Sequence, residues 1–239
     1  MKRLFDLTFA AIGLLALSPI LVFVSFLVWA QDFRSPLYLA PRVGRSGRIF
    51  TMYKLRSMVI NADKNGVDST SADDARITKI GKIIRKFKLD ELTQLINVVK
   101  GDMSLVGPRP NVENETNKYS EDEKLILSVK PGITDFASII FSDEGEILKG
   151  SSDPDLDYNQ IIRPWKSRLG IFYIQNQTFI TDLKIICYTL LTLLSRTSAL
   201  KGVSCLLKEK NASSALIKIA LRDAPITPSA PPGLSKITS

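Results

Sequence analysis

Residues Leu7 to Gln31 make one uncharged, strongly apolar run, LTFAAIGLLALSPILVFVSFLVWAQ, with Ser18-Pro19 at its middle. Its length suits a membrane helix, since a straight span needs about 20 apolar residues. A proline inside a helix removes a backbone donor and crowds the preceding turn, so it kinks or breaks the helix there. Each limb then has about a dozen residues, roughly 18 Å at ~1.5 Å per residue, against a hydrocarbon core about 30 Å thick. The flanks also disagree with simple crossing: Lys2 and Arg3 precede the run, while Arg34, Arg42, Arg45 and Arg48 follow it. Basic residues mark the cytoplasmic side, and both flanks carry them. The pattern predicts a kinked, re-entrant membrane helix within residues 1–33, bent at Ser18 and Pro19, with both ends on one side. A spanning helix with a tolerated proline kink is the competing reading.

The 239-residue chain carries a formal charge of +8, which calls for an anionic partner: nucleic acid, phospholipid headgroups or a phosphorylated substrate. The apolar N-terminus favours membrane and phosphate over nucleic acid. The run is too long for a signal-peptide core, and Gln31-Asp32-Phe33-Arg34 is a poor cleavage site, so it is expected to be retained. Histidine is absent, which excludes Ser-His-Asp and Cys-His nucleophile systems and His-ligated zinc. Cys187 and Cys205 lie in apolar segments and read as reduced, packed thiols. Acid-base or nucleophilic work therefore falls to carboxylates, hydroxyls, Lys or Arg.

Beyond the apolar run, Arg45 to Arg48 reads as a turn and Ile49 to Arg56 as a strand. Asn61 to Asp74 reads as a loop. Thr78 can cap a helix through Ile80, Ile83 and Ile84, and Leu89 to Val99 reads as a second helix, stopped by Gly101. Gly107-Pro108-Arg109-Pro110 must be a rigid turn. Glu121 to Val129 reads as a short helix ended by Pro131-Gly132, and Thr178 to Leu207 as helical but too charged to span, suited to core packing or an interface. Residues 209–239, rich in Pro, Ser and Ala towards the end, read as a disordered tail.

The sharpest local feature is the adjacent pair Asp90-Glu91 at a helix start, where free N–H groups stabilise ionised carboxylates. Taken alone, this is also the ordinary habit of acidic residues in a first helical turn. Cations frequent the neighbouring sequence, among them Arg42, Lys54, Arg56, Arg76, Arg85 and Arg109. Guanidinium groups suit bidentate phosphate recognition. An ionised carboxylate in a cationic, diphosphate-binding cleft can act as nucleophile while its neighbour holds a divalent metal.

The ordered series of motifs resembles the bacterial sugar transferases, the monotopic phosphoglycosyl transferases that start glycan assembly on a polyprenol phosphate. It runs from Lys2-Arg3, Asp6 and Ser18-Pro19 through Arg42-Val43-Gly44, Tyr53-Lys54-Leu55-Arg56-Ser57-Met58 and Asp74-Ala75-Arg76-Ile77-Thr78 to Arg85. Most specific is the block Leu89-Asp90-Glu91-Leu92, Asn97, Gly101-Asp102-Met103-Ser104 and Leu105 to Pro110, followed by Pro131-Gly132-Ile133-Thr134. The resemblance implies that Asp90 attacks the β-phosphate of a UDP-sugar, releasing UMP, and that the aspartyl-bound phosphosugar then passes to polyprenol phosphate, undecaprenyl phosphate being the expected carrier. It implies that Glu91 helps bind Mg²⁺ and that Lys54, Arg56, Arg76, Arg85 and Arg109 contact phosphate or nucleotide. It further implies an α/β fold, helix-rich with a small sheet: a re-entrant helix and a compact catalytic domain over residues 34–208, on the cytoplasmic face of the bacterial inner membrane. Exopolysaccharide or lipopolysaccharide biosynthesis is the expected setting. The expected partners are the UDP-sugar, polyprenol phosphate and membrane lipids, with no nucleic acid; a second copy or other glycan-assembly enzymes are further candidates.

Three places depart from the family pattern. Thr93 stands where proline is usual, Lys88 where a small hydroxyl residue is common, and Asp135-Phe136-Ala137-Ser138 replaces Gly-Trp-Ala-Gln after Gly132-Ile133-Thr134. The last puts the sugar's identity in question: Asp135 is either a specificity residue or an exposed loop acid. Two other functions compete. Asp153 and Asp155 resemble the metal-binding DxD of conventional glycosyltransferases, which would release UDP, although a solvated acidic loop gives the same pattern. A catalytically silent membrane scaffold is the third reading, against which the intact Asp90-Glu91 pair argues.

Overall fold

A computed structural model describes residues 1–62 and 69–238. The elements, in chain order, are α1 (Lys2–Ala30), β1 (Leu37–Val43), β2 (Ile49–Leu55), α2 (Lys79–Lys86), α3 (Leu89–Leu92), α4 (Leu95–Lys100), β3 (Ser104–Val106), α5 (Glu113–Thr116) and β4 (Gly132–Thr134). Then follow α6 (Phe136–Ile140), α7 (Glu144–Ile147), α8 (Pro154–Asp157), α9 (Arg163–Asn176), α10 (Phe179–Leu194), α11 (Arg196–Glu209) and α12 (Ser214–Leu221). The fold is helix-rich and, among the described residues, has two small sheets: an antiparallel β1–β2 hairpin and a parallel β3–β4 pair.

Helix α1 is long and apolar enough to cross a membrane. Pro19 does not divide it into two helices. Proline cannot bond the Leu15 carbonyl as an amide at position 19 would; the Ser18 hydroxyl donates to that carbonyl instead, at 2.8 Å. Asp6, Ala10, Val24 and Val28 are buried, and Leu14, Leu17 and Leu21 pack beside them on the body. Leu4, Phe9, Ile12, Leu15, Val22, Phe23 and Phe26 point outward and are exposed. Both ends are tied to the same body. Lys2 pairs with Asp182 and Arg3 donates to the Val98 and Val99 carbonyls; at the far end Arg56 holds Asp32 through both guanidinium ends, at 2.6 and 2.7 Å.

Among the described residues, three apolar clusters build the interior. The largest joins β3 to α6, α9, α10, α11 and α12 around Phe136, Leu169, Tyr173, Ile185, Val203 and Leu206. The second seats α1 on the hairpin and α4 through Ala10, Ala40, Met52, Leu95 and Val98. The third joins the C-terminal half of α1 to Leu55 and Ile84. Helix α10 leaves Phe179, Ile180, Leu183, Leu190, Leu193 and Leu194 exposed, and Phe179 meets Phe5 of α1 edge-on at 4.9 Å. The outer faces of α1 and α10 thus each present apolar side chains.

The short helix expected over Glu121–Val129 is present, as a 3₁₀ segment over Glu123–Ser128. The structure departs from the sequence reading in three places. The helix expected over Leu89–Val99 is two, α3 and α4, interrupted at Thr93-Gln94, which keep right-handed helical dihedrals with ψ of −17° and −16°. The C-terminal stretch read as a disordered tail forms α12 and then lies along the body: Gln160 donates to the Thr238 carbonyl, Arg168 to Ala230 and Ser120 to Pro232. Cys187 and Cys205 are free but exposed rather than packed. Residues 63–68 of the loop expected over Asn61–Asp74 lie outside the described residues.

Candidate active site

The Asp90-Glu91 pair is positioned by β2. The Thr93 hydroxyl donates to the Tyr53 carbonyl at 3.0 Å, Asn97 Nδ2 to the Thr51 carbonyl at 2.7 Å, and Asn97 Oδ1 accepts from the Tyr53 amide at 3.0 Å. These side chains staple the α3–α4 junction to the strand that carries Lys54. Lys54 Nζ consequently lies 3.2 Å from Asp90 Oδ2. Immediately before α3, Lys88 takes the left-handed conformation, φ 55°, which is uncommon for a residue with a Cβ. That bend ends the α2 connection and starts α3 at Leu89, placing Asp90 and Glu91 in its first turn.

Arg109 comes from the opposite side, and two glycines set its place. A Cβ at Gly132 would stand 2.1 Å from the Gly107 amide nitrogen, and one at Gly107 would stand 2.7 Å from the Lys130 carbonyl. Only glycine at both positions lets the ends of β3 and β4 close, with Gly107 donating to Thr134 and Gly132 to Pro108. The Pro108-Arg109-Pro110 turn then projects Arg109, whose Nη2 lies 2.8 Å from Glu91 Oε1. Burial would raise the Glu91 carboxyl, but Arg109 foremost, with Lys88 and Lys54, holds it at about 2. The same pairing raises the Arg109 guanidinium.

Both ion pairs line a cavity of about 550 Å³, within the ~300–1,000 Å³ of small-molecule sites. Lys82, Arg85, Lys86 and Lys88 line its approach, and among the described residues none of them forms a salt bridge. The far wall carries Asp135, Glu144, Arg163 and Lys166. Glu144 pairs with Lys166. Asp143 holds Arg196 and Arg222 at 2.9 and 3.2 Å, fixing this wall to α11 and α12.

Of the residues singled out in the sequence, the structure brings Lys54, Arg85, Asp90, Glu91 and Arg109 to the cavity. It does not bring Arg56 or Arg76 there. Arg56 is buried against Asp32 and the Val28 and Ser35 carbonyls. Arg76 grips Asp74 and the Ala62 and Ser69 carbonyls. Asp153 caps α8 and Asp155 accepts from the Ser69 amide; neither lines the cavity. Lys82, Lys86 and Lys88 were missed, although Lys82, Arg85 and Lys86 follow helical spacing and so share one face. Asp135 is buried, not an exposed loop acid.

For a metal, the donor set is oxygen only: the Asp90 and Glu91 carboxylates. Among the described residues no group of three or more His, Cys, Asp or Glu could cage an ion. Two carboxylates beside a phosphate-suited cavity fit Mg²⁺, which commonly takes one or two carboxylates and completes its shell with substrate phosphates and water.

A family model described as bacterial sugar transferase matches residues 1–196. The chain belongs to that family. It is 40% identical over 190 residues to the uncharacterized sugar transferase EpsL of Bacillus subtilis, covering 79% of this chain and 85% of that one. It is 35% identical over 214 residues to the undecaprenyl-phosphate galactose phosphotransferase of Salmonella typhimurium, covering 83% of this chain and 41% of the relative. Similarity to an Aeromonas hydrophila enzyme named for transferring N-acetylgalactosamine phosphate from its UDP form to undecaprenyl phosphate is 32% over 197 residues, 81% and 44%. The sugar transferase thus spans less than half the length of the latter two relatives. Their names carry different sugars, so family membership alone leaves the sugar open.

Proposed function

We propose that this protein transfers a sugar 1-phosphate from a UDP-sugar to a polyprenol phosphate, undecaprenyl phosphate being the carrier that two relatives' names give. The observation that carries the reading is the side-by-side arrangement Lys54–Asp90 and Arg109–Glu91 in one cavity with a cationic approach. A carboxylate lining a cavity beside cations that can neutralise an incoming phosphate is placed to act as a nucleophile. In the first step an Asp90 carboxylate oxygen bonds to the β-phosphorus, the bond from that phosphorus to the bridging oxygen breaks, and UMP leaves with the electron pair. In the second, a phosphate oxygen of the polyprenol phosphate bonds to the same phosphorus and Asp90 departs as carboxylate. Lys54 neutralises the phosphoryl charge on the Asp90 side. Arg109 keeps Glu91 ionised and in place, and Lys82, Arg85, Lys86 and Lys88 draw the anionic donor in. Mg²⁺, held by Glu91 with Asp90 adjacent, would supply charge neutralisation on the diphosphate.

Membrane placement follows the same logic. With both ends of α1 anchored to one body, its outward apolar side and the exposed face of α10 can enter one leaflet while Lys2 and Arg34 stay on the same side. We place the body on the cytoplasmic face of the bacterial inner membrane, in exopolysaccharide or lipopolysaccharide synthesis. The test is nucleotide release from UDP-sugars with undecaprenyl phosphate in micelles or vesicles. UMP from wild type, a phosphosugar trapped on it in the absence of carrier and neither from Asp90→Ala are the expected results. Release of UDP instead refutes the mechanism.

A further inference from the structure

The cavity's far wall holds a carboxylate that the phosphoryl chemistry does not use. Each other acidic side chain lining the cavity has a cation: Asp90 has Lys54, Glu91 has Arg109, Glu144 has Lys166 and Glu146 has Lys149 at 3.7 Å, while Asp143 has two arginines. Asp135 forms no salt bridge among the described residues. It is 2% exposed, and both its protein hydrogen bonds fall on Oδ1, which accepts from the Ser138 amide at 2.7 Å and hydroxyl at 2.8 Å. Among the described residues Oδ2 makes no hydrogen bond, and Asp135 lines the cavity.

Asp135 lines one cavity with Lys166, Arg109 and Glu91, the last two forming the ion pair where the reacting phosphate sits in the proposed mechanism. Burial pushes the Asp135 carboxyl upward, against the charges of Lys166 and Arg109. A free carboxylate oxygen there repels phosphate and attracts hydroxyl donors. The group joined to the reacting phosphate is the sugar.

We infer that Asp135 is a sugar-specificity residue: its free Oδ2 accepts hydrogen bonds from hydroxyls of a neutral hexose and rejects donors whose sugar carries a carboxylate. The inference rests on the phosphoglycosyl reading. Attraction and exclusion act together here, since a buried acceptor left without a donor is costly and a second carboxylate facing it costs more.

The experiment compares kcat/KM for UMP release from UDP-galactose, UDP-glucose and UDP-glucuronate, using the full chain with undecaprenyl phosphate. Wild type should favour a neutral donor over UDP-glucuronate by at least ~10-fold. Asp135→Asn keeps a capping oxygen for α6 but loses the charge; it should lower kcat/KM for the neutral donor by about 10- to 100-fold and narrow the gap. Inhibition by free UMP, which lacks the sugar, should not change. Asp135→Ser, also a good helix cap, gives the second measurement should Asn fold poorly. Equal loss for every donor would mean that Asp135 serves only as a cap, and unchanged kinetics or a wild-type preference for UDP-glucuronate would also overturn the inference. UMP from no donor at all sinks the parent reading, and this one with it; UMP with a flat donor profile sinks this one alone.

Discussion

Replacing Arg109 with methionine tests how the site keeps its second carboxylate charged. Glu91 stands at about 2 instead of 4.5, which at ~1.4 kcal/mol per pH unit is about 3 kcal/mol of preference for the ionised form. Lys88 and Lys54 share that effect, and the Arg109 side chain is 31% exposed, so the part due to Arg109 is discounted to about 2 kcal/mol. Because the folded pKa is depressed, the stabilisation is complete above about pH 4.5 and is lost as pH falls towards 2. In Arg109→Met burial dominates and the Glu91 pKa rises. The variant should therefore be less stable than wild type by about 2 kcal/mol at pH 7, with the difference closing below pH 4.5.

Urea unfolding of the detergent-solubilised protein at several pH values between 3 and 7.5 measures this directly. The pH profile of UMP release gives an independent reading: the acid limb should move to higher pH in the variant, because Glu91 then takes up a proton within the working range. A loss of equal size at pH 3 and pH 7 would refute the electrostatic account, leaving only lost packing of the arginine stem. Arg109→Lys, which keeps a charge but not the planar fork, should fall between the two.

Other substitutions probe separate links. Asn97→Ala removes two bonds to β2 from a fully buried side chain and should cost about 2–4 kcal/mol in unfolding, with kcat falling more than KM rises as Lys54 and Asp90 lose their fixed spacing. Arg56→Met strips Asp32 and the end of α1 of their partner; thermal unfolding should show the loss, while KM for the UDP-sugar stays within about twofold. Ser18→Ala should cost about 1 kcal/mol next to Pro19 but almost nothing in a Pro19→Ala background, where a backbone N–H reaches the Leu15 carbonyl again. Cysteine labels at positions 2 and 34 should react from the same side of inside-out vesicles; reaction from opposite sides would make α1 a spanning helix.

The sequence was most legible where chemistry is local. Thr78 caps α2 as its position before the apolar repeat suggested, and Gly101 ends α4 in the left-handed conformation. Leu89 to Val99 keeps helical apolar spacing through Leu89, Leu92, Leu95, Ile96 and Val99, and the interruption between α3 and α4 leaves no mark on it. There the Thr93 hydroxyl reaches a strand some forty residues earlier, and no window of sequence contains both partners. Arginine is likewise ambiguous: Arg56 and Arg109 have the same chemistry, and only the fold gives one to Asp32 and the other to Glu91. The C-terminal stretch looked disordered because Pro, Ser and Ala build little core. Its order comes instead from carbonyl groups of Ala230, Pro232 and Thr238 meeting side chains far away in the chain.

Pro19 illustrates how membrane and catalytic roles meet in one element. Its cost to α1 is limited by the Ser18 hydroxyl and by packing on the body along one side, so helical geometry survives where an isolated segment would break. That side also forms part of the catalytic core. Ala10 packs with Leu95 and Val98 of α4, and Asp6 accepts from the Ser104 hydroxyl and the Leu105 amide at the strand leading to Arg109. The far end of the helix packs with Leu55, the residue after Lys54. A helix lying in one leaflet would thereby set the height of both ion pairs above the lipid. In the proposed reaction, Asp90 must meet a soluble nucleotide sugar and the phosphate of a lipid at one level. The apolar run is therefore a support for the elements that carry the site as well as its anchor, and deleting it should remove folding along with membrane attachment.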